Sequence, residues 1–340
     1  MDESIMALAV GPNRMPRRAD YERVGAEVAE ARAVMETHGW LDDPGSYHRR
    51  PPPLQYPAIS SGWALGRAYE RLWWPSGFEP GEGLPGRDRW QGFAANRTAS
   101  AWVLRRRDRP RPWVVCVHGF GMGSAFMDLV GFRAGHLHDA LGINVAGIVL
   151  PVHGARKPSR FSGEEFLGFD VMNYVHGLSQ AVWDLRRLLG WVRSQDPTGV
   201  GLFGVSLGGY VSALCAAVEA ELDLVLAGIP VTDLMGLMIH HAPHHVHLRA
   251  LEHGVLDGTA QSVARVISPL AMPVAVPHRA RAIFAGLGDR LVPVEQPHRL
   301  WEHWEQPETC WFPGNHLGYL WSGKVWDFVD RVLTERDLMA

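Results

Sequence analysis

Cysteine is scarce in this chain. Only three occur among 340 residues, Cys116, Cys215 and Cys310, each inside an apolar run. Their spacing is too wide for a zinc site and their odd number leaves no complete disulfide framework, so they are expected to be buried small hydrophobes in a reducing compartment. Long hydrophobic runs are missing as well: no stretch approaches the roughly 18 apolar residues that a membrane-spanning helix needs. The first segment, MDESIMALAVGPNRMPRR, is acidic before it is basic, the reverse of an export signal. The expected location is the cytoplasm. An excess of positive charge is also lacking. The net charge is -3 and the arginines are scattered apart from RRRDRPR at 105–111, which argues against a nucleic-acid partner. That run reads as an exposed turn between two strands, where like charges stay solvated. No internal repeat and no low-complexity segment occurs.

What is present is an ordinary globular composition, 46% hydrophobic and 20% charged, with ample material for a large core. Residues 1–90 read as an N-terminal helical and irregular arm. Tyr21, Val24, Val28, Ala31 and Met35 recur at helical spacing, and the helix is expected to end at His38-Gly39. Beyond it, RRPPPLQYP and WWPSGFEPGEGLPG break regular elements, and Trp63, Trp73 and Trp74 are expected to pack onto the body. Residues 91–340 change character. Short, mainly apolar runs at 112–119, 143–152, 200–206, 222–230, 281–289 and 308–315 read as strands covered on both faces. Amphipathic helices separate them. In one, Leu178, Ala181, Val182, Leu185, Leu188, Leu189 and Val192 form the apolar face, with Gln180, Asp184, Arg186 and Arg187 opposite; in the last, Val325, Phe328, Val329, Val332 and Leu333 do the same. The fold class is therefore α/β, a doubly wound and mostly parallel sheet.

Ligands of such sheets bind beyond the carboxyl ends of the strands. Ser206 stands at one such end, in Gly204-Val205-Ser206-Leu207-Gly208-Gly209. A serine on a sharp strand-to-helix turn needs glycine neighbours and presents its hydroxyl at a helix N-terminus. A hydroxyl nucleophile needs a base and the base an orienting acid. Asp289, in GDRLVP, and His316, in GNHLGY, follow the next-but-one and the last apolar runs. Asp233, in IPVTDL, is the rival acid, but a turn or helix cap explains it equally well. Two oxyanion donors are also required: the N–H of Leu207, directly after the serine, and that of Phe120 in the loop His118-Gly119-Phe120-Gly121. That loop lacks the lysine and the hydroxyl residue of a phosphate-binding loop.

With HGFG, LPVHG, GVSLGG, GLGDRLVP and GNH in this order, the chain from about residue 91 to 336 resembles the α/β-hydrolase-fold serine hydrolases. The resemblance implies that Ser206 attacks an acyl carbonyl, His316 moves the proton and Asp289 holds the imidazole. It also implies a carboxylic ester substrate cleaved through an acyl-enzyme, with no metal and no cofactor. A peptidase, a thioesterase, or an acyltransferase or lyase on the same fold are the alternatives. A non-catalytic binding protein is disfavoured by the complete triad.

Residues 235–265 are longer than a crossover requires and read as a small helical cap over the site, with Met235, Leu237 and Met238 expected to touch a small-molecule acyl substrate. The cap carries His240, His241, His244, His245, His247 and His253. Pro243 interrupts their spacing and no carboxylate stands close by, so they read as surface or pocket residues rather than metal ligands. His153, before a glycine at another strand end, reads as structural.

Overall fold

The computed structural model describes residues 17–166 and 170–339; the initial segment read above as no export signal lies largely outside them. Among the described residues the strands are β1 (Ala58–Ala64), β2 (Arg67–Pro75), β3 (Thr98–Leu104), β4 (Trp113–Val117), β5 (Asn144–Val149), β6 (Val200–Val205), β7 (Leu224–Gly228), β8 (Arg281–Gly286) and β9 (Glu308–Phe312). They form one sheet in the order β1-β2-β3-β5-β4-β6-β7-β8-β9. From β5 to β9 in that order every pairing is parallel, while β1, β2 and β3 run antiparallel to their neighbours.

Side chains alternate between the faces of a strand, and here both faces are apolar. In β4, Val115 and Val117 enter one core while Val114 and Cys116 enter the other; in β7, Val225 and Ala227 divide from Leu224 and Leu226 in the same way. The helices are α1 (Arg18–Thr37), α2 (Arg87–Gln91), α3 (Ala125–Gly131), α4 (Ala134–Asp139), α5 (Val171–Arg193), α6 (Leu207–Ala216), α7 (Leu234–His241), α8 (His244–Glu252), α9 (Gly258–Ala264), α10 (Glu295–His303) and α11 (Gly323–Thr334). Residues of α3, α4 and α11 cover the second face, and those of α1, α5, α6 and α10 the first. The expected α/β class and mostly parallel sheet are those observed. Helices α7, α8 and α9 occupy the segment expected to form the cap.

Two expectations change. Between the two proline- and glycine-rich stretches the arm read as irregular forms the hairpin β1–β2, which extends the sheet through β3. Its turn residues Leu65 and Gly66 both have positive φ, 51° and 70°, as a two-residue hairpin turn requires. Because one face of this edge hairpin meets solvent, Trp74 is buried but Trp63 and Trp73 are exposed rather than packed on the body. Helix α5 differs too. Asp184 and Gln180, read as a solvent face, are 0% and 3% exposed. Ser76 and Trp90 of the N-terminal segment, with Asn96 and Arg156, cover them: Asp184 accepts from Arg156 at 2.8 Å and from Ser76 at 2.7 Å, and Gln180 Oε1 accepts from Trp90 and Asn96, both at 2.8 Å. Arg156 also donates from its two terminal nitrogens to the carbonyls of Val149 and Asn96, which offsets part of the cost of burying the charge pair.

Candidate active site

Strand β6 stops at Val205 and α6 starts at Leu207, so Ser206 alone turns the chain. Its backbone sits at φ 57°, ψ -117°, a conformation that a non-glycine residue adopts only when its surroundings impose it. The Ser206 N–H donates to the Gly228 carbonyl at 2.9 Å, and the Ser206 carbonyl accepts from Tyr210 N–H at 3.0 Å. Both flanking glycines are required sterically. A Cβ at 204 would run into the Gly208 carbonyl and Ser212 Oγ, and one at 208 into the Val117 carbonyl.

The turn aims Ser206 at His316. The hydroxyl donates to His316 Nε2 at 3.0 Å, and His316 Nδ1–H donates to Asp289 Oδ2 at 2.7 Å. A carboxylate only accepts, so Nδ1 carries the proton and Nε2 is left with its lone pair toward the serine. The side chains of His316 and Asp289 are 5% and 3% exposed, whereas Ser206 is half-buried. The second Asp289 oxygen accepts from the N–H groups of Leu291 and Val292, each at 2.9 Å. Both carboxylate oxygens are thus held. Asp233 is engaged elsewhere: it caps α7 by accepting from Gly236 N–H at 2.8 Å and pairs with Arg299 at 3.1 Å.

Leu207 opens α6, and the first amides of a helix have no intrahelical acceptor. Phe120 lies in the loop after β4, where Gly121 and Gly123 take φ of 78° and 100°. The loop passes over the serine, close enough that a Cβ at 119 would stand 3.4 Å from that of Ser206. Two groups that sequence reasoning did not assign hold it there. His118, 1% exposed, donates from Nδ1 to the Gly119 carbonyl at 2.8 Å and accepts at Nε2 from Leu150 N–H at 3.0 Å; burial pushes it down to about 4. Asp128, also 1% exposed, accepts from Gly123 N–H at 3.1 Å and Trp102 Nε1–H at 3.0 Å, and burial pushes its carboxyl up to about 6. His153 stands behind the loop, its ring 5.8 Å from that of Phe120, with Nδ1–H donating to the Pro151 carbonyl. The position of His118 at a strand end was the available signal; Asp128 gave none.

A cavity of about 300 Å³ opens at the same edge of the sheet, beside Thr232 and Asp233 just past β7, walled by Tyr174, Tyr210, Met235 and Leu270. Met235 is buried in that wall; Leu237 and Met238 are half-buried and pack against the core. Helix α1 buttresses the cap, with Tyr21 stacked on His253 at 5.8 Å. Of the cap histidines, His240, His244 and His245 are exposed and His241, His247 and His253 half-buried. His241 Nε2–H donates to the Leu291 carbonyl at 2.8 Å. Among the described residues no group of three histidine, cysteine or acidic side chains converges as a metal site, and no helix is long and apolar enough to cross a membrane.

No family model matches the chain. Over 321 residues it is 44% identical to "Uncharacterized protein MT2702" of Mycobacterium tuberculosis, an alignment that covers 94% of this chain and 77% of that protein. Among solved structures, an acetyl xylan esterase from Paenibacillus sp. R4 aligns with a TM-score of 0.57 at 12% identity. Acetyl xylan esterase 1 from Thermoanaerobacterium sp. JW/SL YS485 aligns with a TM-score of 0.55 at 14% identity. Each of the two alignments covers 88% of this chain and 93% of the other.

Proposed function

The chain belongs to the family of the Mycobacterium tuberculosis protein MT2702 and has the α/β-hydrolase fold, and from that premise we propose that it is a serine hydrolase that cleaves a carboxylic ester. The observation that carries this reading is the pair of hydrogen bonds, 3.0 and 2.7 Å, that join a strained serine through His316 to Asp289. Fold alone would not carry it, because one fold hosts many functions.

In the proposed reaction Ser206 Oγ attacks the acyl carbonyl carbon while His316 Nε2 takes its proton. The oxyanion that forms meets the N–H groups of Leu207 and Phe120. A donor placed in advance costs no reorganisation at the moment of reaction, and one such donor is worth roughly 3 kcal/mol of barrier. His316 then returns the proton to the leaving alkoxide, and the acyl group remains on Ser206. Water, deprotonated by the same nitrogen, attacks the acyl carbon, the bond to Ser206 Oγ breaks, His316 returns the proton to Oγ, and the carboxylic acid leaves. Throughout, Asp289 holds the imidazole in place and stabilises the imidazolium. The serine chemistry calls for no metal or cofactor.

The cap supports a small-molecule acyl substrate, with Met235, Leu237 and Met238 of α7 as its proposed contacts. The three cysteines, all buried and free, support a cytoplasmic location. A panel of p-nitrophenyl esters of graded acyl length, run beside thioester and anilide analogues, tests the substrate class. Ester turnover should dominate and vanish in Ser206→Ala. Faster turnover of the thioester or anilide would overturn the ester assignment.

A further inference from the structure

The cap is joined to the acid of the triad through a single peptide group. His241, the last residue of α7, donates from Nε2 to the Leu291 carbonyl at 2.8 Å. That carbonyl and the Val292 N–H belong to the same planar peptide unit. The Val292 N–H donates to Asp289 Oδ1 at 2.9 Å, and the other oxygen of Asp289 holds His316 at 2.7 Å, which holds Ser206 at 3.0 Å. The hydrogen bonds therefore run without a break from a cap histidine to the serine hydroxyl.

Resting on the hydrolase reading above, we infer that His241 is a positioning residue for the triad, so that docking of the cap and fixation of Asp289 are one event. Accepting at its carbonyl polarises a peptide group and makes its N–H a better donor. Withdrawal of His241 leaves the Leu291–Val292 peptide without a donor on its carbonyl, so that only the Leu291 and Val292 N–H groups still fix it to Asp289 Oδ1 and its grip on the carboxylate loosens. The far end of α7 is anchored independently, by Asp233 accepting from Gly236 N–H and by Gln296 Oε1 accepting from Asp233 N–H at 2.7 Å. Loss of the His241 contact thus frees one end of the helix without releasing the other.

The test uses the full chain and a small fluorophosphonate probe, which reacts with an activated serine without needing a substrate pocket. Misplacing a catalytic group by about 1 Å can cost as much as 100-fold; a partial release of Asp289 should slow labelling of Ser206 and lower kcat by about 10-fold in His241→Leu. His241→Gln places an amide N–H near the Nε2 position and should restore both to within about 3-fold of wild type. A histidine that only anchored the cap would shift KM and thermal stability and leave the labelling rate alone. Wild-type labelling in His241→Leu, or His241→Gln as slow as His241→Leu, overturns the role of His241 while the hydrolase reading stands. Absence of labelling in the wild type itself overturns the hydrolase reading, and this role with it.

Discussion

The Val117 carbonyl, at the end of β4, fills the space that a Cβ on Gly208 would need. This contact brings the strand that launches the loop 119–123 against the helix that follows Ser206, so the proposed nucleophile and the proposed oxyanion loop share one close approach. Gly208→Ala should therefore push β4 and α6 apart. Overpacking of this kind costs about 1–3 kcal/mol, and the same displacement separates Phe120 from Ser206. Urea unfolding should show the loss of stability, and ester turnover should fall further than stability explains. Unchanged turnover would mean that the loop does not serve the serine.

The two candidate acids make opposite predictions. Asp289→Asn keeps the shape but puts an amide beside His316, and loss of the correct imidazole tautomer costs about 10⁴-fold in kcat in a related triad; a fall of that order is expected here. Asp233→Asn keeps a helix cap, since asparagine caps as well as aspartate, and should leave kcat within about 3-fold. Steady-state kinetics on p-nitrophenyl acetate separates the two. A reversed pattern would transfer the acid role to Asp233.

Stability should fall in acid. His118, His153 and His176 are each no more than 1% exposed, and burial pushes them to about 4, 3 and 4. Their unfolded rings, with an ordinary value of 6.5, take up protons that the folded rings refuse. Their contribution is intact above pH 6.5 and is lost as pH falls toward 4. Asp128 works in the opposite sense: unfolded it ionises near 3.8, folded only near about 6, so its burial costs stability as pH rises through that interval. Near pH 5 the four groups leave a net uptake of protons on unfolding, because three histidines gain them and one carboxyl loses one, so stability rises with pH there. Urea unfolding between pH 4.5 and 7 measures it. In His118→Asn the slope should drop by about one proton's worth; no change would mean that His118 is not neutral in the fold.

The central strands were legible because a strand covered on both faces is apolar over nearly its whole length, and 113–117 or 282–286 read so directly. The candidate triad was legible for a related reason: Ser206, Asp289 and His316 each stand where such a run stops. The hairpin β1–β2 was not, since its turn is Leu65-Gly66 rather than an asparagine- or aspartate-glycine pair, and its outer face is solvent, where Trp63 obeys no pattern. Nor was the burial of Asp184 and Gln180. Their polarity marks an interior network closed by Ser76, Asn96 and Arg156, and spacing along α5 cannot distinguish buried hydrogen-bond partners from water. Asp128 meets the Gly123 N–H and the Trp102 indole, and His241 the Leu291 carbonyl, partners brought together only by the fold, so spacing along the chain does not announce either residue.

Reaction of Ser206 itself is the most direct measurement. Folded wild-type protein treated with a fluorophosphonate should gain one phosphonyl group, located at Ser206 by peptide mass spectrometry, and Ser206→Ala should gain none while unfolding normally. An unlabelled wild type, or equal labelling of Ser206→Ala, would contradict the assignment of Ser206 as an activated nucleophile.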